Sequence, residues 1–303
     1  MAKTKRWGKK YLDNRDWKKY NAELIKRGEY YINPKFLETW NVEIKEMNKG
    51  KIGQPFLYPT SLIIFLAVLS AKGFDFRSLE GIITIFSKKF FNFPIISFSQ
   101  IRRRIRTLSK EFIAKGKNLI VGSDGTGLKI TNRGEWIRHK WAIKRGWIKV
   151  IILGDVEGNI IDIRIGDEDA NENIAARDMI LANNEEIDKF LGDGLYDTKE
   201  NFRLLDQLGI EPVIKIRKNA SKNAGGCVPR KKQVQEYKKI GYKKWAKNKK
   251  YGLRWPTTEG IFSAVKRING EILKAHTKKG LYDEAQLKFW AYQRIKDAGK
   301  EEI

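Results

Sequence analysis

This sequence predicts an α/β domain, a mixed sheet flanked by helices, preceded by an all-helical region. Three observations predict it. Up to about residue 118 the apolar residues recur at helical spacing. From Leu119 the pattern changes to short β-type runs closed by glycine, aspartate and asparagine. After three such runs, segments of helix and strand length alternate.

The 303 residues are 41% hydrophobic and 12% aromatic, which excludes a disordered basic tail. The net charge of +25, with a pI near 9.9, favours a polyanion partner over a neutral small molecule, because cationic side chains release counterions from phosphates. A single cysteine, Cys227, cannot form an internal disulfide; it fits a reducing cytoplasm and rules out a cysteine-rich zinc site. The basic start Met1–Arg6 is not followed by an apolar segment, so no signal peptide is expected, and the longest apolar run, Leu62–Leu69, is too short for a bilayer.

In order, helices are expected around Trp17 to Arg27 and from about Pro34 to Met47, the second with Phe36, Leu37, Trp40, Val42, Ile44 and Met47 as a mixed apolar stripe. A loop over 48–55 leads into a buried helix over 60–71, opened by Pro59 and stopped at Lys72-Gly73. Two helices follow in tandem. The first spans about Phe76 to Phe90, with Leu79, Ile82, Ile83, Ile85 and Phe86 facing inward; Pro94 breaks it. The second opens at Ser97 or Ser99 and sets Arg102, Arg103, Arg104 and Arg106 beside Ile101, Ile105 and Leu108. A short helix apolar on one side and basic on the other is the second member of a helix-turn-helix-like pair over 76–108, and DNA contact is expected of it. A solvated basic helix in a bundle has the same composition.

The stretch Leu119–Ile130 reads as a strand climbing to Asp124, a break at Gly125 and a second β-type run. A loop with Arg133, Trp136, Arg138, His139, Lys140, Trp141 and Arg145 follows. Two strands, 147–153 and 159–165, are joined as a hairpin by 155–159. Asn171 or Asn173 opens a helix ending near Asn183-Asn184; a strand ends in the turn 192–197; Thr198–Leu208 is a helix closed by Gly209, and 212–216 a further strand. Three antiparallel strands, then helix, strand, helix and strand, is the order of an RNase H-like domain.

Residues 217–250 interrupt this order. They hold 13 Lys or Arg, Lys243 and Lys244 among them, against the single acid Glu236. Tyr237, Tyr242 and Trp245 lie among the lysines, and the expectation is a partly irregular insertion that tracks phosphates and stacks on bases. A helix begins near Trp255–Thr258, with Thr257 or Thr258 as N-cap, and a last amphipathic helix covers about Asp283 to Lys296. The division expected is 1–118, helical and DNA-binding, and 119–303, catalytic.

With His139 and His276 the only histidines, a Ser-His-Asp arrangement lacks its nucleophile elbow and a histidine-pair nuclease lacks its pair. What remains is carboxylate. Asp124 and Asp193 each follow an apolar strand and precede glycine, and Glu259 lies in the first turn of a helix. Singly, an Asp-Gly marks a turn and such a glutamate suits the helix dipole. Together, three hard oxygen donors in a basic protein suit two Mg²⁺ ions acting on a phosphodiester.

The arrangement resembles a known family. Tyr251, Arg254, Glu259 and Lys266 are similar to the tyrosine–arginine–glutamate–lysine signature of the DDE transposases of bacterial and archaeal insertion sequences, particularly insertion-sequence family five. Two residues separate Tyr251 from Arg254 and six separate Glu259 from Lys266, as in the family; four separate Arg254 from Glu259, where the family has three. Ser123–Thr126 resembles the first-aspartate block, Lys144–Lys149 the following strand entry, and Gly192–Asp197 the second-aspartate block, with Gly194 shifted and Leu195 before Tyr196. Arg77–Gly81 and Arg102–Arg104 resemble the family's N-terminal helices.

The resemblance implies that Asp124, Asp193 and Glu259 hold two Mg²⁺ ions (Mn²⁺ substituting), that Lys266, Arg254 and Tyr251 bind the DNA strand, and that terminal inverted repeats are cut and joined by a homodimer in the cytoplasm. Asp197 is expected to be a helix cap. Two other readings stay open: a non-catalytic DNA-binding protein of transposase descent, and an RNase H-like metal-dependent nuclease that cuts without joining.

Overall fold

The computed structural model describes residues 5–6, 9–10, 16–32, 35–131 and 146–300. Five helices come first: α1 (Trp17–Glu29), α2 (Phe36–Asn48), α3 (Thr60–Ala71), α4 (Phe76–Phe86) and α5 (Phe98–Thr107). The all-apolar α3 is the centre of this layer, with Leu62, Ile63, Leu66, Ala67 and Val68 almost fully buried. Around it pack Phe36, Leu79, Ile83, Ile101 and Ile105. Pro34, the expected start of α2, lies outside the described residues.

The tandem pair forms largely as expected. Ser97 opens α5 with a capping box: its hydroxyl accepts from the Gln100 N–H, and the Gln100 side chain accepts from the Ser97 N–H. Glu80 on α4 accepts the Phe98 N–H at 2.9 Å, joining the two helices. Two details differ. The first helix stops being α-helical at Phe86 and continues as a π-turn, Ser87–Phe91, ended by Asn92 at φ +47°. Ile85, expected inward, is 54% exposed.

The sheet contains β1 (Leu119–Ile130), β2 (Trp147–Asp155), β3 (Ile160–Gly166), β4 (Ile187–Gly192), β5 (Glu211–Ile214) and the short β6 (Ile272–Leu273). Its order is β3-β2-β1-β4-β5, with β6 on β1. The β1–β2 and β2–β3 pairs are antiparallel, and the β1–β4 and β4–β5 pairs parallel. This is the mixed, helix-flanked sheet of an RNase H-like fold.

Strand alternation sorts the two faces. Val121, Ile151, Leu153 and Phe190 face α6 (Glu172–Ala182) and α7 (Lys199–Gln207). Leu128, Ile148, Val150 and Ile152 face α9 (Glu259–Asn269) and α10 (Lys278–Ala298). Between β5 and α9 lies α8 (Val228–Asn248). The helix α10 serves two cores: Leu281, Ala285 and Phe289 lie against the sheet, while Leu287, Trp290, Ala291 and Ile295 lie against the helical layer. No described helix is long and apolar enough to cross a membrane.

Two expectations are corrected. First, β1 does not break at Gly125. It runs unbroken and pairs with β2 from Val121 to Lys129. The glycines in it serve close approach: a Cβ at Gly125 would lie 2.7 Å from Glu172 Oε1, and one at Gly127 2.6 Å from a Trp147 ring carbon. Second, the segment 217–250 is mostly helix, interrupted at Gly241 (φ +74°). Trp245 is fully buried with Leu191, Val213 and Tyr251, and Tyr237 packs on its ring at 5.0 Å. The Trp245 ring closes a core and cannot stack on bases; Tyr237 is partly buried against it, and Tyr242 is 46% exposed. Val234 before the kink and Trp245 after it are the buried positions of the helix, and Lys238, Lys239, Lys243 and Lys244 are exposed. Of the two threonines expected as N-cap of α9, Thr258 occupies that position, without a side-chain cap hydrogen bond. Both are fully buried. The basic loop Arg133–Arg145, with His139 and Lys144, lies outside the described residues.

Candidate active site

The site begins with a gap in the sheet. On the edge of β1 away from β2, β4 pairs with residues 119–122 and β6 with 129–130. Among the described residues no strand pairs with 123–128 on that edge. Asp124 stands in this interval on the α9 side of the sheet. Its Oδ1 accepts the Gly125 N–H at 2.8 Å and its Oδ2 accepts from Arg254 at 3.2 Å. Burial pushes its carboxyl above the ordinary range; the Gly125 N–H and Arg254 pull it down, and the Asp193 and Glu172 charges push it up again.

Glu259 reaches Asp124 through the same arginine. The Arg254 Nη2 donates to Glu259 Oε1 at 2.5 Å while Nη1 donates to Asp124 Oδ2. The Arg254 side chain is only 19% exposed. Its pKa is raised: burial opposes its charge, but Tyr251, Glu259 and Asp124 together more than offset this.

Two glycines hold this arginine in place. Residues 254–257 form one helical turn laid directly on the sheet. A Cβ at Gly122 would meet Thr257 Oγ1 at 2.3 Å, and one at Gly154 would meet the Thr257 carbonyl oxygen at 2.2 Å. The Thr257 hydroxyl donates to Arg254 O at 2.7 Å. Small residues on β1 and β2 therefore seat the turn, and the turn aims Arg254 and Glu259 at Asp124.

Asp193 follows β4 and caps a 3₁₀ turn, Gly194–Tyr196, by accepting the Leu195 N–H at 2.7 Å. Its charge acts on Asp124 and on Tyr251. Tyr251 is 8% exposed, and its hydroxyl donates to Gly192 O at 3.2 Å. Burial pushes that hydroxyl up to about 12. It faces the chain before Asp193, away from solvent. Lys266 lies two turns along α9 from Glu259, half-buried.

The expected Arg102, Arg103 and Arg106 are exposed on α5. Arg104 is turned inward: it donates to Tyr58 O at 3.1 Å and lies over the Phe56 ring. Lys243 and Lys244 are exposed on α8, in a separate part of the chain from α5.

Reasoning from sequence missed Glu172, Lys149 and Arg230. Glu172 pairs with Lys149 at 2.8 Å beneath Gly125, on the other side of β1 from Asp124. Asp197, expected as a cap, is no cap. Thr198 caps α7 by accepting the Asn201 N–H, and the fully buried Asp197 carboxylate takes both Arg230 Nε (2.6 Å) and Nη2 (3.0 Å). A bidentate buried pair between distant segments leaves no local sequence signal.

Asp124, Asp193 and Glu259 offer only carboxylate oxygens, the donor chemistry of a hard divalent cation. Among the described residues no group of three or more His, Cys, Asp or Glu is drawn together closely enough to hold a metal ion. Asp193 is turned onto Leu195, and Arg254 supplies the positive charge between the other two.

Family comparison decides the assignment. A family model described as the transposase DDE domain matches residues 116–293, and a second so described matches 25–133. The chain belongs to the DDE transposases. Membership implies a DNA substrate, polynucleotidyl transfer and divalent metal ions. No curated protein matches this transposase. Among solved structures it is similar to a chain of a simian T-cell lymphotropic virus intasome in complex with PP2A regulatory subunit B56 gamma. The identity is 11% and the TM-score 0.24, over 53% of the transposase and 60% of that chain, a likeness too loose to bear on function.

Proposed function

We propose that this chain is an insertion-sequence transposase of the family-five type that binds terminal inverted repeats, cuts the DNA end and joins the freed 3′-hydroxyl to target DNA. In this reading Asp124, Asp193 and Glu259 are the catalytic carboxylates and hold two Mg²⁺ ions, which Mn²⁺ can replace. The observation that carries it is the shared guanidinium: Arg254 bridges Asp124 and Glu259, carboxylates from β1 and α9, beside the Asp193 turn. A cation already compensates these charges together. When bound, the metal ions supply activation of the attacking oxygen and stabilisation of the leaving oxygen.

The remaining roles belong to the chain itself. Arg254, once its carboxylates face metal, is the guanidinium available to a DNA phosphate, and Lys266 on α9 holds a second phosphate. Tyr251 anchors the Asp193 turn through Gly192 O, next to the strand it would serve. Residues 1–118 form the end-binding region, with Arg102, Arg103 and Arg106 toward DNA and Arg104 bracing α5 on Tyr58. Lys243 and Lys244 extend the phosphate track, and 119–303 carry the chemistry. A homodimer on DNA pairs the two ends.

The test is cleavage and strand transfer on duplexes carrying the element's inverted repeats, with Mg²⁺ or Mn²⁺. Asp124→Ala, Asp193→Ala and Glu259→Ala should each abolish both steps while end binding in EDTA persists. Full activity in all three variants refutes the assignment. End binding without cleavage by the unaltered protein makes it a non-catalytic descendant, and cleavage without joining makes it a nuclease.

A further inference from the structure

The turn bearing Asp193 is held from outside by the basic segment that follows β5. Two of its carbonyls are taken by that segment, Gly194 O by Arg217 Nε (2.6 Å) and Leu195 O by Arg217 Nη2 (3.1 Å), and Gly192 O accepts from the Tyr251 hydroxyl just after it (3.2 Å). At its far end Asp197 accepts the Arg217 N–H at 3.0 Å and the bidentate fork of Arg230. The Asp197 side chain is 0% exposed and that of Arg230 12%. Within the turn the Asp193 carboxylate accepts from Leu195 N, whose own carbonyl accepts from Arg217 and, at 3.3 Å, from Asn173.

We infer that Asp197 and Arg230 are a positioning pair for the transposase reaction: the insertion 217–250 sets the aim of Asp193 by locking the turn 192–197 through this buried fork. The inference rests on the reading of Asp193 as a metal-holding carboxylate. Its physical basis is that a carboxylate in a short turn points where the turn's backbone points. A buried bidentate pair breaks at a discrete geometry, so the turn is held in one register. An unpaired Asp197 would remain a charge without solvent, and the turn would open to hydrate it. The hydrogen bond to Asp197 raises the arginine's pKa against the opposing effect of burial, as a pair that keeps its charge requires. The Arg230 guanidinium is spent on Asp197, which removes it from the set of side chains offered to DNA.

Asp197→Asn, Arg230→Gln, Arg230→Lys and the double Asp197→Asn/Arg230→Gln are compared in the full chain, with Asp193→Ala alongside. Three readouts are used: amide hydrogen exchange across 192–199 and 215–218 without metal, Mn²⁺ affinity by electron paramagnetic resonance without DNA, and kcat and KM for cleavage. Both neutralising variants should exchange faster in those two segments only, bind Mn²⁺ about 10- to 100-fold more weakly and lose kcat by a similar factor, with KM for DNA little changed. Arg230→Lys should fall between them and the unaltered protein, and the double variant should be no worse than the poorer single one. If Asp193→Ala is inactive while Arg230→Gln and Arg230→Lys keep the original Mn²⁺ affinity and kcat, the positioning role is wrong and the carboxylate reading stands. A rise in KM with unchanged Mn²⁺ affinity makes Arg230 a DNA contact and also overturns it. Activity in Asp193→Ala overturns the carboxylate reading and the positioning role together.

Discussion

Lys296 shows how much a single buried charge can reveal about this fold. It lies in α10, 6% exposed, and donates to Asn159 Oδ1 at the end of the β2–β3 hairpin. Burial and the nearby Lys300 pull its pKa down to about 8, with Asp155, Asp297 and Glu157 partly opposing. The folded pKa lies below the ordinary 10.5, so between pH 8 and 10.5 the unfolded chain holds a proton that the folded one has lost. Stability therefore rises with pH in that window, by at most about 1.4 kcal/mol per pH unit. Denaturant unfolding at pH 7, 8, 9 and 10 should show the unaltered protein gaining on Lys296→Met as the pH rises; parallel curves would contradict the assignment. Asn159 also accepts weakly from Gln293, whose side-chain oxygen takes the Ile160 N–H, so the hairpin remains tied to α10 in the variant.

Among the elements, the turn on the sheet is the most sensitive. Gly154→Ala puts a Cβ 2.2 Å from the Thr257 carbonyl oxygen and 2.7 Å from Ile261 Cδ1, so the turn bearing Arg254 must lift. Overpacking of this kind costs about 1–3 kcal/mol. Thermal melting should register that loss. Cleavage should fall further than end binding, because Glu259 moves with the turn while α5 does not. Much at this scale was legible in the sequence. The apolar run of α3, the start of α5 at Ser97 or Ser99 and the Asp155–Asn159 hairpin are decided by neighbours a few residues apart. The strand through Gly125 was not, because its reason is Glu172 on another element. Trp245 was likewise misread as a base-stacking ring: its neighbours Leu191, Val213 and Tyr251 come together only in the fold. Asp124, Asp193 and Glu259 could be proposed from type and spacing, whereas the bond between Asp197 and Arg230 could not, since each looks locally like a surface residue.

At the scale of the whole molecule, the proposed binding to DNA should be governed by the excess of positive charge. With +25 on 303 residues, end binding should weaken steeply with salt, the logarithm of affinity falling by about 0.9 per phosphate contact for each unit of log salt. Arg102→Ala and Arg103→Ala should each reduce that slope by about 1 without changing the Mn²⁺ requirement. Filter binding across a salt series checks this; an unchanged slope would place α5 away from the DNA.

The helix α10 has a further consequence, for the time course of synthesis. Its Leu287, Trp290, Ala291 and Ile295 complete a core whose other members, from Phe36 to Ile105, leave the ribosome far earlier. Chains grow at about 5–20 residues per second, so the apolar side of α3 waits for many seconds without the residues that cover it. During that interval the helical layer is a client for whatever binds exposed apolar surface. A ribosome stalled before residue 278 would hold both of these cores incomplete, so their closure comes late.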